Sequence, residues 1–257
     1  MNQRHGAIYP DLKGASVLVT GGASGIGESI VAHFASQMSK VAFIDIKPDE
    51  GRRVAEDLSG DRQRVHFEQC DLTNIPALRA AIDNVRGRIG PIKILVNNAA
   101  DDERHASEAV TPEYFDQRIA VNLKHQFFAA QAVVDDMKSL GGGSIVNFGS
   151  TSWMIGLGGM AVYTAAKSGV IGLTRSLARD YGPFNIRVNA IAPGWIMTRR
   201  QIERWLTPEG EQAIMTNQCL KRKLQPEDIA RFTVFLASEE AAACTAQHYV
   251  VDGGWVR

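Results

Sequence analysis

Short runs of consecutive apolar residues alternate along this chain with longer stretches in which apolar residues recur every three or four positions. The first run, Ser16-Val17-Leu18-Val19-Thr20, leads into a glycine-rich turn, after which Ile26, Ile30 and Phe34 share one helical face. Residues 41–45 form a second strand-like run, 49–58 a helix, 64–68 a strand and 75–86 a helix. Another buried strand is predicted over 92–96, followed by one long helical stretch over 112–138. Gly141-Gly142-Gly143 breaks that helix before a strand at 144–148. A helix over 161–181 carries Val162, Ala166, Val170, Leu173 and Leu177 on one face, and 186–191 reads as a sixth strand. The polar stretch 201–217 is helix-like, and a helix over 226–237 and a strand over 249–251 close the pattern. Fully apolar strands alternating with helices predict an α/β chain: a doubly wound parallel sheet flanked by helices. No repeat or linker interrupts it, so residues 1–257 read as a single domain behind a short N-terminal arm over 1–13.

Composition narrows the function more than the fold. The chain has 257 residues, and its 28 Lys and Arg balance its 28 Asp and Glu, so no basic excess points to nucleic acid or a membrane surface. Cys70, Cys219 and Cys244 form no CxxC and no even framework, which suits a reducing compartment. The six histidines show no HExxH spacing, so no catalytic metal is expected. Residues 1–10 lack a signal-peptide apolar stretch and nothing reaches transmembrane length, so a cytoplasmic location is expected.

Two constellations carry chemistry. Gly21, Gly25 and Gly27 lie between a predicted strand and a helix, where a dinucleotide pyrophosphate rests on the helix N-terminus. Their spacing is G-x-x-x-G-x-G, and Asp45 ends the second strand eighteen residues after Gly27, where a carboxylate accepts from ribose hydroxyls. A nucleotide site in a Rossmann-type sheet is the expected result. The second constellation is Tyr163 and Lys167, four residues apart and therefore on one helical face, with Ser150 thirteen residues upstream of the tyrosine at a strand end. A lysine ammonium beside a phenol favours the phenolate, so the pair can take a proton from an alcohol or return one to a carbonyl. Trp153 and Trp195 follow predicted strand ends, where ligands bind in such sheets, and Asp101-Asp102-Glu103-Arg104-His105 is a polar loop after the fourth strand. His125 reads as packing, and Arg52 and Arg53 as surface charge.

Thr20-Gly-Gly-Ala-Ser-Gly-Ile-Gly27, Asn97-Asn98-Ala99-Ala100, Asn122, Ser150, Tyr163-x-x-x-Lys167 and Pro193-Gly194 together resemble the motif set of the short-chain dehydrogenase/reductase family, in the family's order. Ala100 departs from it, standing where the usual motif has glycine. The resemblance implies a catalytic tetrad of Asn122, Ser150, Tyr163 and Lys167, with Asn122 holding a water that leads from Lys167 to solvent. It implies cofactor contacts from Gly21, Ser24, Gly25, Ile26, Gly27, Asp45, Asp71, Leu72 and Asn98. Tyr163, Lys167, Pro193, Gly194, Ile196 and Thr198 complete that set.

The segments Ala7-Ile-Tyr-Pro-Asp-Leu-Lys-Gly14, Asp101 to His105, Asn147-Phe-Gly-Ser-Thr-Ser-Trp153 and Gln218-Cys-Leu-Lys221 resemble the bacterial aldose 1-dehydrogenase branch, of the D-xylose type. So does the tail from Leu236 to Trp255. That branch implies NAD-dependent oxidation of a free aldose at C1 to its lactone, a homotetramer, and a variable substrate lid at about 196–220. Asp102, Arg104, Ser150, Ser152, Trp153, Tyr163 and Trp195 are the substrate candidates. Two alternatives stand beside this reading: the same fold acting on another secondary alcohol or ketone, and a non-catalytic NAD-sensing protein. Such sensors usually lack the tyrosine or the lysine, and this chain has both.

Overall fold

The computed structural model describes residues 6–60 and 65–256. Residues 1–5 of the expected arm, and Arg64 at the start of the expected third strand, lie outside them. The strands are β1 (Ser16–Thr20), β2 (Lys40–Asp45), β3 (His66–Gln69), β4 (Ile94–Asn97), β5 (Gly143–Phe148), β6 (Ile186–Pro193) and β7 (His248–Val251). All neighbouring pairs are parallel, in the order β3-β2-β1-β4-β5-β6-β7. This is the doubly wound Rossmann-type sheet expected from the alternation of apolar runs and amphipathic stretches.

The helices between strands cover both faces: α1 (Gly25–Ser36), α2 (Pro48–Leu58), α3 (Ile75–Ile89), α4 (Pro112–Ile119), α5 (His125–Ser139), α6 (Ala161–Tyr181), α7 (Arg199–Arg204), α8 (Pro208–Asn217) and α9 (Pro226–Ala237). One core layer joins Val17, Val19, Ile30 and Phe34 to Ile229 and Val234. The other joins Leu18, Leu95 and Ile145 to Leu78, Ile82, Val133 and Leu177. Every residue of β1 is buried because both faces of this strand are covered, so it reads as an apolar run rather than an alternation. Local chemistry sets several helix starts. Asn74 accepts from the Ala77 N–H at 3.1 Å at the head of α3, and Gln225 and Asp228 form a reciprocal capping box on α9.

The chain winds one way from β1 to β3 and the other way from β4 to β7, so the β1/β4 boundary is the point where strand order reverses. A crevice opens there beyond the carboxyl ends of the strands. Thr20 pairs with Asn97 at those ends, and the turns carrying the glycines and loop 101–105 leave from the same edge.

Three elements differ from the sequence expectation. The stretch 112–138 is not one helix: α4 and α5 are joined by a π-helical turn, Ala120–Lys124, which carries the buried Asn122. The polar stretch 201–217 divides into α7 and α8, because Pro208 lacks an N–H to continue α7 and instead opens a new helix capped by Thr207. β4 starts at Ile94, two residues later than its apolar run suggests, because the Ile92 N–H is drawn to Asp136 at 3.1 Å. No helix among the described residues is long and apolar enough to cross a membrane.

Candidate active site

The turn between β1 and α1 is shaped by contacts that only glycine allows. Gly21 and Gly25 hold φ of +71° and +59°. A Cβ on Gly27 would lie 1.8 Å from the Gly21 carbonyl oxygen, and one on Gly21 would lie 2.7 Å from Ala99 Cα. The turn is pinned from two sides. Asn98 Nδ2 donates to Thr20 O at 3.1 Å and to Gly21 O at 2.9 Å, and the Asp45 carboxylate accepts from the Ala23 N–H at 2.9 Å. Asp45 also accepts from the Lys47 N–H at 3.1 Å, so the carboxylate stands fixed and buried at the end of β2. Ser24 is exposed at the α1 N-cap and its hydroxyl makes no capping bond, which leaves it and the helix N-terminus free to meet an anion. Ile26 packs on the core from the first turn of α1. These features fit a dinucleotide: a bare backbone for the pyrophosphate and a carboxylate for the ribose.

The remaining expected cofactor residues lie at or just after the carboxyl ends of β3 and β6. Leu72 is buried, and Asp71 binds its own turn, accepting from Thr73 N at 2.9 Å and Thr73 Oγ1 at 2.7 Å. Pro193 O accepts from Thr151 N and Oγ1, each at 3.2 Å, while a Cβ on Gly194 would lie 2.6 Å from Asp252 Cβ. Ile196 is buried and bridges to Leu224. Thr198 caps α7, accepting from the Gln201 N–H at 3.2 Å, and its Cγ2 would be 3.1 Å from a Cβ on Gly25. Thr198 therefore sits directly over the glycine turn. Arg52 and Arg53 pair with Asp49, Glu28 and Asp57 on the surface.

Tyr163 and Lys167 stack on one face of α6 as their spacing predicts, with Lys167 Nζ 5.8 Å from the tyrosine ring centroid. Lys167 is buried and donates to Phe148 O at 2.8 Å, which ties α6 to the end of β5 just before Ser150. The Ser150 hydroxyl reaches the phenol and also accepts from the Ser152 N–H at 3.1 Å. Burial pushes the phenol of Tyr163 above its ordinary range, the charge of Asp102 adds to this, and the Ser150 hydrogen bond opposes it. Burial also drives the Lys167 ammonium down to about 7, against a smaller upward pull from Asp102. The sequence alone suggested an ionised tyrosine beside a charged lysine. In the folded chain desolvation opposes both charges, while the Ser150 hydrogen bond favours the phenolate.

Asn122 is fully buried, and its side chain is committed to the loop rather than to open space. Its Oδ1 accepts from the Asp101 N–H at 2.9 Å, and its Nδ2 donates to Asp101 O and Arg118 O, each at 3.0 Å. Gln126 Nε2 donates to Asn122 O at 3.1 Å and Phe148 O at 3.4 Å, touching the carbonyl that Lys167 uses. Arg118 is buried and pairs with Asp101 at 2.7 Å. Sequence reasoning missed Arg118 and Gln126. Their signal was a polar stripe, Arg118, Asn122 and Gln126 at four-residue spacing inside an otherwise amphipathic stretch.

The loop 101–105 borders the Ser150–Tyr163–Lys167 cluster and is held by α7. Arg200 bonds Asp101 at 2.8 Å, Asp102 at 2.9 Å and Glu103 at 3.2 Å, Gln201 takes the second Asp102 oxygen, and Arg204 pairs with Glu103 at 3.1 Å. Arg104 makes no ion pair among the described residues; its guanidinium stacks 5.8 Å from the Trp195 ring centroid and 4.7 Å from that of Trp205. His105 Nε2 accepts from the Val162 N–H at 3.4 Å, one residue before Tyr163, and its other nitrogen meets Tyr114 Oη at 3.1 Å. Among the described residues, the side chains of two substrate candidates are not tied into this cluster, although the Ser152 backbone meets Ser150. The Ser152 hydroxyl is buried without a hydrogen-bond partner among the described residues, and Trp153 packs against His248 of β7, ring centroids 6.3 Å apart. Arg200, Gln201 and Trp205 gave no local signal, because their partners are about a hundred residues away in sequence.

A glycine cradle at the strand-order reversal, a carboxylate at the end of β2 and a serine–tyrosine–lysine cluster across the crevice define a nicotinamide-dependent oxidoreductase. The chain belongs to the short-chain dehydrogenase/reductase family. Residues 21–256 match the family model described as enoyl-(acyl carrier protein) reductase. The chain is 47% identical over 249 residues to the D-xylose 1-dehydrogenase of Caulobacter vibrioides, covering 97% of this chain and 98% of that protein. It is 48% identical over 247 residues to the probable galactose dehydrogenase of Rhizobium meliloti, covering 96% of each. Among solved structures it is similar to a 7α-hydroxysteroid dehydrogenase complexed with NADH and 7-oxo glycochenodeoxycholic acid. That match has a TM-score of 0.89 and 32% identity over 95% of this chain and 96% of the other.

Proposed function

We propose that this protein is an NAD-preferring sugar 1-dehydrogenase, oxidising the C1 hydroxyl of a free aldose such as D-xylose, L-arabinose or L-fucose to its lactone. The observation that carries the sugar reading is the polar wall beside the base: Asp102 stands near enough to Tyr163 for its charge to act on the phenol. A steroid or hydroxyacyl pocket calls for mostly apolar walls there, whereas a polyol needs directional donors and acceptors. The two sugar dehydrogenases matched nearly end to end support the same reading.

A bound nicotinamide supplies the hydride acceptor. Tyr163 Oη takes the proton of the C1 hydroxyl, and Ser150 orients that oxygen through its hydroxyl. Lys167, anchored on Phe148 O, steadies the phenolate and has ammonium hydrogens left for the nicotinamide ribose. Asn122 keeps the loop 101–105 against the site through Asp101. Asp102 and Arg104 are the loop's sugar contacts, with Ser152, Trp153 and Trp195 as further candidates. Asp45 sets the cofactor preference, because a 2′-phosphate ~4 Å from its carboxylate costs roughly 4 kcal/mol at an effective dielectric near 20. Lys47, exposed and only loosely paired with Glu50 at 4.0 Å, offsets part of this. The working form is a cytoplasmic homotetramer, one domain per chain, with 196–220 as the substrate lid.

A spectrophotometric NAD-reduction screen over pentoses, hexoses, 6-deoxyhexoses and non-sugar alcohols tests the assignment. Turnover of one or more aldoses is the expected result. Reduction of NAD by a non-sugar alcohol alone would overturn it.

A further inference from the structure

Three consecutive carboxylates converge on one planar cation at the edge of the site. Arg200 gives Nε to Asp102 Oδ1 at 2.9 Å and Nη2 to both Asp101 Oδ1 at 2.8 Å and Glu103 Oε2 at 3.2 Å. The three acids are not equally dependent on it. Asp101 has a second cation in Arg118 and Glu103 has one in Arg204, whereas Arg200 is the cation paired with Asp102 among the described residues. Asp102 is also the carboxylate whose charge bears on both Tyr163 and Lys167. The acid that acts most on the base is thus paired from a different element, a six-residue helix capped by Thr198 over the glycine turn.

We propose that Arg200 is a positioning residue that makes the acid–base step depend on α7 being seated against the loop 101–105. With α7 down, Arg200 covers the Asp102 charge and fixes its carboxylate together with Gln201, and Tyr163 can give up its proton. With α7 lifted, Asp102 stands uncovered beside the phenol, like charge opposes the phenolate, and the base stays protonated. The groups around the phenol are consistent with this assignment: Ser150, Lys167, Asp102 and Asp101 act on it directly, and His105 reaches the preceding residue through the Val162 N–H. Lys167 in turn faces Asp102 and the buried His125. The proposal rests on Tyr163 being the acid–base group.

The test is the pH dependence of kcat, measured with saturating NAD and the best substrate of the screen above. Arg200→Gln is expected to move the ascending limb to higher pH by about half a unit, a modest shift because the pair is partly exposed. Asp102→Asn is expected to move it to lower pH, and the Arg200→Gln shift should shrink in the Asp102→Asn background. Arg200→Lys should retain part of the wild-type position. Arg204→Gln, on the same helix but paired with Glu103, controls for loosening of α7 and should leave the limb in place. An unmoved limb in Arg200→Gln, or an equal shift in Arg204→Gln, overturns the proposal. Tyr163→Phe separates the two levels: if it retains turnover, the reading of the base falls and the proposal with it. If it abolishes turnover while Arg200→Gln leaves the limb unmoved, only the proposal falls.

Discussion

The side-chain amide of Asn122 forms a matched pair of hydrogen bonds with the backbone of Asp101, accepting its N–H at 2.9 Å and donating to its carbonyl at 3.0 Å. A backbone segment bonded this way gains what a strand neighbour would otherwise supply. The loop after β4 is thereby fixed to the π-helical turn between α4 and α5. Asn122→Ala strips two partly buried backbone groups of their partner, at a cost of about 1–3 kcal/mol in stability. The freed loop should also raise KM for the sugar while KM for NAD changes little. Chemical denaturation and steady-state kinetics on the same preparation measure both effects; unchanged stability would mean water replaces the amide without loss.

Tyr163→Phe keeps the ring that Lys167 lies beside but removes the proton acceptor. NAD affinity should stay near wild type while kcat falls on the order of 10²–10⁴, the usual scale for a positioned acid–base group. Fluorescence titration with NADH and turnover assays report the two quantities separately. Near-normal turnover in the folded variant contradicts the mechanism.

Asp45→Ser tests cofactor choice. The substitution removes the charge that opposes a 2′-phosphate and also two acceptor contacts, to the Ala23 and Lys47 N–H groups. The NAD/NADP ratio of kcat/KM should narrow by at least tenfold, a fraction of the roughly 4 kcal/mol Coulomb figure. Equal kcat/KM for the two cofactors in the wild type would remove the basis for NAD preference.

Alanine at Asp102 or Arg104 addresses the sugar contacts. Loss of a charged hydrogen bond to a hydroxyl should raise KM for the aldose by about 1–3 kcal/mol, with KM for NAD little affected. Arg104→Ala also removes the cation between Trp195 and Trp205, so its thermal midpoint is measured alongside. Unchanged sugar KM in both variants would take the loop out of substrate recognition without touching the catalytic cluster.

His125 gives a pH prediction for stability. It is fully buried in the first turn of α5, and burial, with the charge of Lys167 adding, pushes its imidazole down to about 3 from an ordinary 6.5. Between those values the unfolded chain holds a proton that the folded chain does not, so stability falls as pH drops through that window. The slope from this group is up to about 1.4 kcal/mol per pH unit. His125→Leu should flatten the decline between about pH 6.5 and pH 5 in urea denaturation. An unchanged slope would show that the buried imidazole is not the source.

Much of this molecule was legible before folding was considered, and for a local reason in each case. Apolar runs and helical periodicity gave the strand and helix order because residues buried on both faces of a parallel sheet need no alternation. Gly21 and Gly27 announced a close backbone approach, and the four-residue spacing of Tyr163 and Lys167 alone puts them on one helical face. Tertiary packing decided what depends on distant partners or on burial. The π-helical turn sends the Asn122 amide to Asp101, and Arg200 reaches Asp102 across 98 residues of chain. Trp153 lies against His248, whose place beside it is set by the pairing of β7 with β6. The electrostatic setting of Tyr163 and Lys167 was likewise beyond the sequence: spacing determines that the two groups meet, but the surrounding fold sets the desolvation that acts against both charges.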